Sequence, residues 1–221
     1  MIQKAAPLLI SVFCSYPLLV ATAKPIADAD IPRVNGGDLV SHMTPLRGTI
    51  PAQWRVIWKG DASTEATISW STAEEGSKHQ VLYGTDGQTL DKSLDCQVNR
   101  AYTVNKGDKP AYYHHARLTG LEPDTNYHFA MESDGKRSRT LYFRTAPASG
   151  TGFSVIHGGD SRSGHTDRCR MNLRIAAIAR DNRKVLAFAH GGDYIVSGKV
   201  WKQWRLWLSQ HELTTAEDGR V

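Results

Sequence analysis

The tetrapeptide His-Gly-Gly-Asp occurs twice in the second half of the chain, each time directly after a short apolar run. Phe153-Ser154-Val155-Ile156 leads into His157-Gly158-Gly159-Asp160, and Val185-Leu186-Ala187-Phe188-Ala189 leads into His190-Gly191-Gly192-Asp193. Short β-branched or aromatic runs bounded by glycine read as buried strands. The paired glycines let the backbone turn tightly past each strand end, and each turn presents one carboxylate. Between the runs, Met171, Ile175 and Ile178 recur at helical spacing and predict a helix over 167–180 with an apolar face. Strand, helix, strand implies a parallel crossover, so both aspartate loops emerge at the same sheet edge. Ligands gather at that edge in open α/β sheets. A second helix over 200–211 carries Trp201, Trp204 and Leu208 as a stripe expected to pack on the sheet.

The first half follows a different period. Trp54, Val56 and Trp58 alternate on one face, as do Ala66, Ile68 and Trp70, which argues for half-buried antiparallel strands. Asp61-Ala62-Ser63 and the Gly84 to Gly87 stretch supply turns, the latter ending a strand near Gln80 to Tyr83. Leu118-Thr119-Gly120-Leu121-Glu122-Pro123-Asp124-Thr125-Asn126-Tyr127 has the form of a tyrosine corner, in which a tyrosine hydroxyl bonds back to upstream backbone. Tyr127, Phe129 and Met131 continue one strand face, and Asp134-Gly135 marks a hairpin turn toward Leu141 to Phe143. Together these predict a fibronectin type III-like β-sandwich over 46–146 with a structural or adhesive role. His114 and His115 are neighbours on one strand and point to opposite faces, so they do not chelate one ion together.

At the N-terminus, Lys4 precedes an apolar stretch to Val20 and then Ala21-Thr22-Ala23, the layout of a signal peptide over 1–23 cleaved after Ala23. The expected address is secreted or periplasmic. Pro7 and Pro17 interrupt the stretch, which is short for a stable membrane span. Residues 24–45 read as an extended polar lead-in, and 147–152 as a small-residue domain linker. After cleavage Cys96 and Cys169 remain; export permits a disulfide, and the spacing does not decide whether they pair. The formal charge of +5 is spread without a Lys/Arg run, so there is no nucleic-acid footprint.

Carboxylate oxygens are hard donors suited to cations such as Mg, Mn, Fe or Ca. In two-metal hydrolases, ions about 4 Å apart clamp the attacking and leaving oxygens of a phosphoryl displacement. Asp160 and Asp193 are the candidate metal ligands. Either Gly-Asp turn alone is ordinary turn chemistry; the two on one crossover make the case. His157 and His190 are expected to pack at the strand ends rather than ligate, and His165 is expected to be an exposed loop residue. Other signatures fail: the stretch from Gly192 to Lys199 is one residue too long for a phosphate loop. His211-Glu212 lacks the second histidine of a zinc protease, Thr215 standing in its place.

The order sandwich, linker, strand–GGDSRSG, helix, strand–HGGDYI resembles purple acid phosphatases and the wider calcineurin-like metallophosphoesterases. The resemblance implies that the sandwich is the N-terminal domain of that family and that 153–221 is the opening of an incomplete α/β metallophosphoesterase domain. It implies that Asp160 ligates one ion and that Asp193 bridges two divalent or trivalent ions (Fe, Zn, Mn or Mg), with a phosphate ester as substrate. Two positions depart from the family. Val196 stands where the iron-binding tyrosine is expected, with Tyr194 displaced, so an iron-tyrosinate band is not expected. Arg162 replaces a frequent histidine ligand; its guanidinium is suited to a phosphate oxygen or a nearby carboxylate. The family's later Gly-Asn-His and Gly-His-x-His blocks do not occur in these 221 residues, which are expected to be a truncated portion with little activity alone. Two alternatives stand beside the acid phosphatase: a secreted, non-catalytic binding module, and a phosphodiesterase or nucleotidase on the same scaffold.

Overall fold

A computed structural model describes residues 28–35, 38–100 and 111–221; the expected signal peptide lies outside them. No helix among the described residues is long and apolar enough to cross a membrane.

The alternating half folds as a two-sheet β-sandwich. Its strands are β1 (Ala52–Ile57), β2 (Ala66–Thr72), β3 (His79–Gly84), β4 (Lys92–Asp95), β5 (Gln97–Arg100), β6 (Tyr112–Leu118), β7 (Asn126–Ser133), β8 (Lys136–Arg137) and β9 (Leu141–Arg144). One sheet runs β1-β2-β6-β5 and the other β4-β3-β7-β8, with β9 also pairing β7. The chain passes from one sheet to the other at Cys96, between β4 and β5. All nine residues of three expected faces lie in or against one core: Trp54, Val56 and Trp58; Ala66, Ile68 and Trp70; Tyr127, Phe129 and Met131. Alternation decides this, because a one-residue slip would turn each set toward water.

The corner is made as expected: the Glu122 backbone N–H donates to the Tyr127 hydroxyl at 2.9 Å. Asp134 and Gly135 both have positive φ, as a two-residue hairpin of this kind requires, and the turn leads first into the short β8 before β9. His114 and His115 separate as expected. His114 is buried, stacks on Trp70 and bonds Thr72, whereas His115 bonds Ser69. Burial and the neighbouring His79 push His114 down to about 3, so it stays neutral.

The second half contains β10 (Ser154–Gly158), α1 (His165–Asp181), β11 (Val185–His190) and α2 (Trp201–His211). β10 and β11 pair in parallel, Gly158 opposite His190, with α1 as the crossover. Three expectations need correction. The strands are not wholly buried: Phe153 is 52% and Val155 47% exposed. This is a two-stranded ladder, and among the described residues the face bearing Val155, His157 and Ala189 is exposed. On α1, Ile175 is buried, but Met171 and Ile178 face water. The helix instead buries Arg168, Cys169, Asn172 and Ala176, because Gln210 and Ser161 offer polar partners on that side. α2, in turn, does not pack only on its own sheet. Trp201 sits against Ala111, Leu46 and Tyr113 of the sandwich side, while Trp207 meets His190 and Tyr194.

The stretch expected to be an extended lead-in contains two short 3-10 turns, Ile31–Arg33 and Asp38–His42. Leu39 is fully buried beside Cys169 and Leu213. Cys96 and Cys169 are both free thiols, and burial raises both above the ordinary thiol value.

Polar contacts also join the two halves. The Glu212 carboxylate, in a 3-10 turn after α2, accepts from the backbone N–H groups of Thr44 and Gln53. Gln53 Nε2 donates to the Arg205 carbonyl and to Ser209 Oγ, and Trp54 Nε1 donates to Thr215 Oγ1. Arg220 is buried and donates to the carbonyls of Ala179, Asn182, Arg183 and Val185. Those carbonyls belong to the end of α1 and the start of β11, so one guanidinium satisfies acceptors that a helix terminus leaves open.

Candidate metal centre

Both Gly-Gly-Asp turns leave adjacent parallel strands, and the ladder continues into them. Gly191 N–H donates to the Gly158 carbonyl at 2.6 Å, and Asp160 N–H donates to the Gly192 carbonyl at 3.0 Å. A Cβ on Gly159 would sit 3.4 Å from the Gly191 backbone. The glycines therefore serve two needs, the turn itself and the close approach of one loop to the other. Asp160 and Asp193 both have left-handed φ, 49° and 55°, a conformation aspartate tolerates better than most residues. The repeated sequence thus gives a repeated geometry.

The two carboxylates converge on a single cation. Arg162 Nη1 lies 2.8 Å from Asp193 Oδ1, and Arg162 Nε lies 3.4 Å from Asp160 Oδ1. Of the two roles anticipated for this guanidinium, contact with a carboxylate is the one formed, and with both carboxylates. The side chains of Asp160 and Asp193 are 74% and 52% exposed. Ion pairs at that exposure contribute little stability, so the carboxylates remain exchangeable.

The loop that carries Asp160 and Arg162 is anchored through the residue between them. Ser161 Oγ accepts from Trp207 Nε1 at 2.9 Å and lies 2.8 Å from His190 Nε2. The Ser161 carbonyl accepts from Arg168 Nη1 at 2.5 Å. His190 Nδ1 accepts from Gly192 N–H at 3.2 Å, so the neutral ring carries its proton on Nε2 and gives it to Ser161. His190 stacks on Tyr194 with ring centroids 4.0 Å apart, and burial together with His157 lowers its pKa. Both its nitrogens are engaged, in keeping with a packing role. Tyr194 belongs to this aromatic cluster with Trp204 and Trp207, and Val196 is 71% exposed. His165 opens α1, exposed, with Nδ1 accepting from Arg168 at 2.7 Å. Sequence reading missed the network of Ser161, Arg168, Trp207 and Gln210, whose partners are brought together only by folding.

Among the described residues no group of three or more His, Cys, Asp or Glu side chains is arranged to hold a metal ion. The donor set at the strand ends is two hard carboxylates. They suit a hard cation in kind, and a positive group already sits against both, but two donors fall short of the six or more oxygens such ions take. Asp160 and Asp193 therefore fit as anchoring ligands of a cation site rather than as a complete one.

Residues 51–145 match the family model described as purple acid phosphatase, N-terminal domain. The chain is 33% identical over 88 residues to an uncharacterized protein of Mycobacterium tuberculosis, covering 40% of this chain and 16% of that protein. It is also 33% identical over 94 residues to a phosphoenolpyruvate phosphatase of Allium cepa, covering 41% of this chain and 18% of that one. The chain thus matches less than a fifth of the length of these curated relatives. A solved structure of PhoD overlaps 80% of this chain and 39% of its own at 14% identity and a TM-score of 0.48, a level at which the overlap does not establish a shared fold. The front portion of the chain is purple acid phosphatase-like.

Proposed function

We propose that this chain, with its purple acid phosphatase-like front portion, belongs to a metal-dependent phosphoric ester hydrolase acting on phosphomonoesters, and that Asp160 and Asp193 anchor its cations. The observation that carries the proposal is the convergence of both carboxylates on the Arg162 guanidinium. Two acidic side chains distant in sequence meet the same guanidinium at the carboxyl ends of parallel strands. A pair of bound cations would supply charge to hold phosphoryl oxygens and to activate water. The chain's own residues prepare that space. The Gly159 and Gly191 backbones set the loops side by side, and Ser161 fixes the segment that carries Asp160. Arg162 keeps the carboxylates together and turns to a phosphate oxygen once a cation displaces it. Because the chain offers two carboxylates, weak metal uptake and little turnover are expected from it alone.

Calorimetric titration of the full chain with Mn²⁺ tests the assignment. Saturable uptake lost in the Asp160→Asn, Asp193→Asn double variant supports it. Uptake equal in the variant and the parent chain removes the two aspartates from the site. Arg162→Ala is expected to tighten Mn²⁺ binding by removing the competing charge, whereas a purely structural Arg162 would leave affinity unchanged. Export with cleavage after Ala23 belongs to the same proposal, and intact-mass analysis of the exported protein tests it.

A further inference from the structure

Where the sandwich chain changes sheets, a thiol and an imidazole meet, away from the aspartate loops. Cys96 lies between β4 and β5 and is partly buried. His114 of β6 is fully buried and stacks on Trp70 with ring centroids 5.0 Å apart. Its Nδ1 lies 3.8 Å from Cys96 Sγ.

The tautomer of this ring follows from its other nitrogen. The single hydroxyl proton of Thr72 goes to the Glu74 carbonyl at 2.6 Å, so Thr72 Oγ1 accepts from His114 Nε2 at 2.8 Å. Nε2 therefore carries the proton, and Nδ1 turns its lone pair to the sulfur. Among the described residues no N–H or O–H group donates to Nδ1. An imidazole fixed in one tautomer through its far nitrogen is the arrangement that orients a metal-ligating histidine. His79 lies beside it with centroids 4.1 Å apart, but its Nδ1 is 2.9 Å from Ser133 Oγ. His115 turns to Ser69 instead.

Two chemistries are open to a thiol beside an imidazole. Nucleophilic catalysis uses a thiolate next to an imidazolium, whereas burial pushes the Cys96 thiol up to about 11 and His114 down to about 3. The pair is neutral and a poor nucleophile. Metal ligation asks only that an ion displace the thiol proton. Two donors fall short of the four that structural zinc takes, and among the described residues no third His, Cys, Asp or Glu completes a set. Thiolate is a soft ligand that selects Cu(I), an ion stable with two ligands. Being monovalent, Cu(I) replaces the proton without changing the net charge of a largely dry site, which avoids the burial cost of a divalent ion. With zinc's bond lengths as a guide, about 2.3 Å to sulfur and about 2.0 Å to nitrogen, the two bonds sum to within about 0.5 Å of the 3.8 Å gap. The partly buried Cys96 side chain is the one able to adjust.

We infer that Cys96 and His114 form a two-coordinate site for Cu(I), with Thr72 orienting the imidazole. A Cu–Sγ bond forms, the thiol proton leaves to solvent and no oxidation state changes. Nothing in the argument uses Asp160 or Asp193, whose hard oxygens suit other ions, so the inference stands apart from the proposed hydrolase. A bound ion also ties the crossing between the sheets to β6.

The test is anaerobic titration of Cu(I), supplied as its bicinchoninate complex, into the full chain carrying Cys14→Ser, which leaves Cys96 and Cys169 as the thiols. Transfer of one equivalent from the competitor to the protein is expected. Cys96→Ser should weaken uptake at least about a hundredfold, since losing even a hydrogen-bond partner of a ligand costs about ten- to a hundredfold. Cys169→Ser should leave uptake within about twofold. X-ray absorption of the loaded parent chain should show one sulfur and one imidazole nitrogen on copper, a readout that needs no variant to fold. No transfer from the competitor, unchanged uptake in Cys96→Ser, or loss in Cys169→Ser overturns the inference. A copper shell of sulfur alone also overturns it, by removing His114 from the site.

Discussion

In the sandwich, Trp70, Phe129, Phe143 and Ile68 are shut off from water in one continuous cluster. In the α/β segment, Phe153 and Val155 stay about half exposed, and it meets the sandwich through the Trp201 contact with Ala111 and through polar bonds among Glu212, Gln53, Trp54 and Thr215. The first region draws its stability from removing apolar area from water, which is non-directional and tolerant of small shifts. The second depends on directional bonds between groups far apart in the chain, each costly when its partner is lost. A βαβ unit with two strands has too little apolar surface to close on itself and borrows the sandwich as a support.

Four substitutions break or sharpen that contrast. The largest effect is expected from Trp70→Ala, in the dry centre of the sandwich: a loss of about 3–5 kcal/mol in denaturant unfolding. A loss below about 1 kcal/mol would show that the sandwich is not the stabilising half.

Next comes the junction at Glu212. Burial outweighs the two backbone N–H donors and raises this carboxyl from 4.5 to about 7. Between those values the unfolded chain has released a proton that the folded chain keeps. The contribution of this one carboxyl to stability is therefore fullest below pH 4.5 and declines as pH rises through about 7. The total is on the order of 3 kcal/mol. Glu212→Gln cannot titrate and should flatten this dependence, at the expense of one acceptor for the Thr44 and Gln53 N–H groups. Urea unfolding across this pH range reads the slope, and an unchanged slope in the variant assigns the pH dependence elsewhere.

A smaller effect is expected from Tyr127→Phe, which keeps the ring in the core and removes only the acceptor for Glu122 N–H; about 1 kcal/mol is expected, measured by the same unfolding. The smallest comes from Val155→Ser on the open face of β10, expected to change stability by no more than about 0.5 kcal/mol. A loss comparable to that of Trp70→Ala would mean that this face is covered in solution, and the contrast between the halves would fail.

Much of this was open to reading from residues alone, and the parts that were share a physical basis. The alternation in Trp54 to Trp58, Ala66 to Trp70 and Tyr127 to Met131 is a local code, since successive side chains of a strand must face opposite ways. The tyrosine corner and the two Gly-Gly-Asp turns are local too, because their backbone requirements fall within a few neighbouring residues. The parallel crossover followed from chain order, and with it the meeting of Asp160 and Asp193. The apolar spacing on α1 misled, because periodicity shows that a face is apolar and not that anything covers it. Met171 and Ile178 therefore remain exposed while Arg168 and Asn172 are buried.

By itself, then, the sequence determined the sandwich strands that carry Trp54, Trp70 and Tyr127 with their inward faces, the two strands that end in Gly-Gly-Asp, and the edge that carries the two aspartates. Only the tertiary structure decided that Arg162 lies against both carboxylates, that Glu212 clamps Thr44 to Gln53, and that Arg220 closes the end of α1. Each of those contacts requires a particular side chain to find a partner supplied by another part of the fold. Strand and turn preferences act over a few residues, whereas the position of such a partner is the summed result of every strand, turn and helix between them.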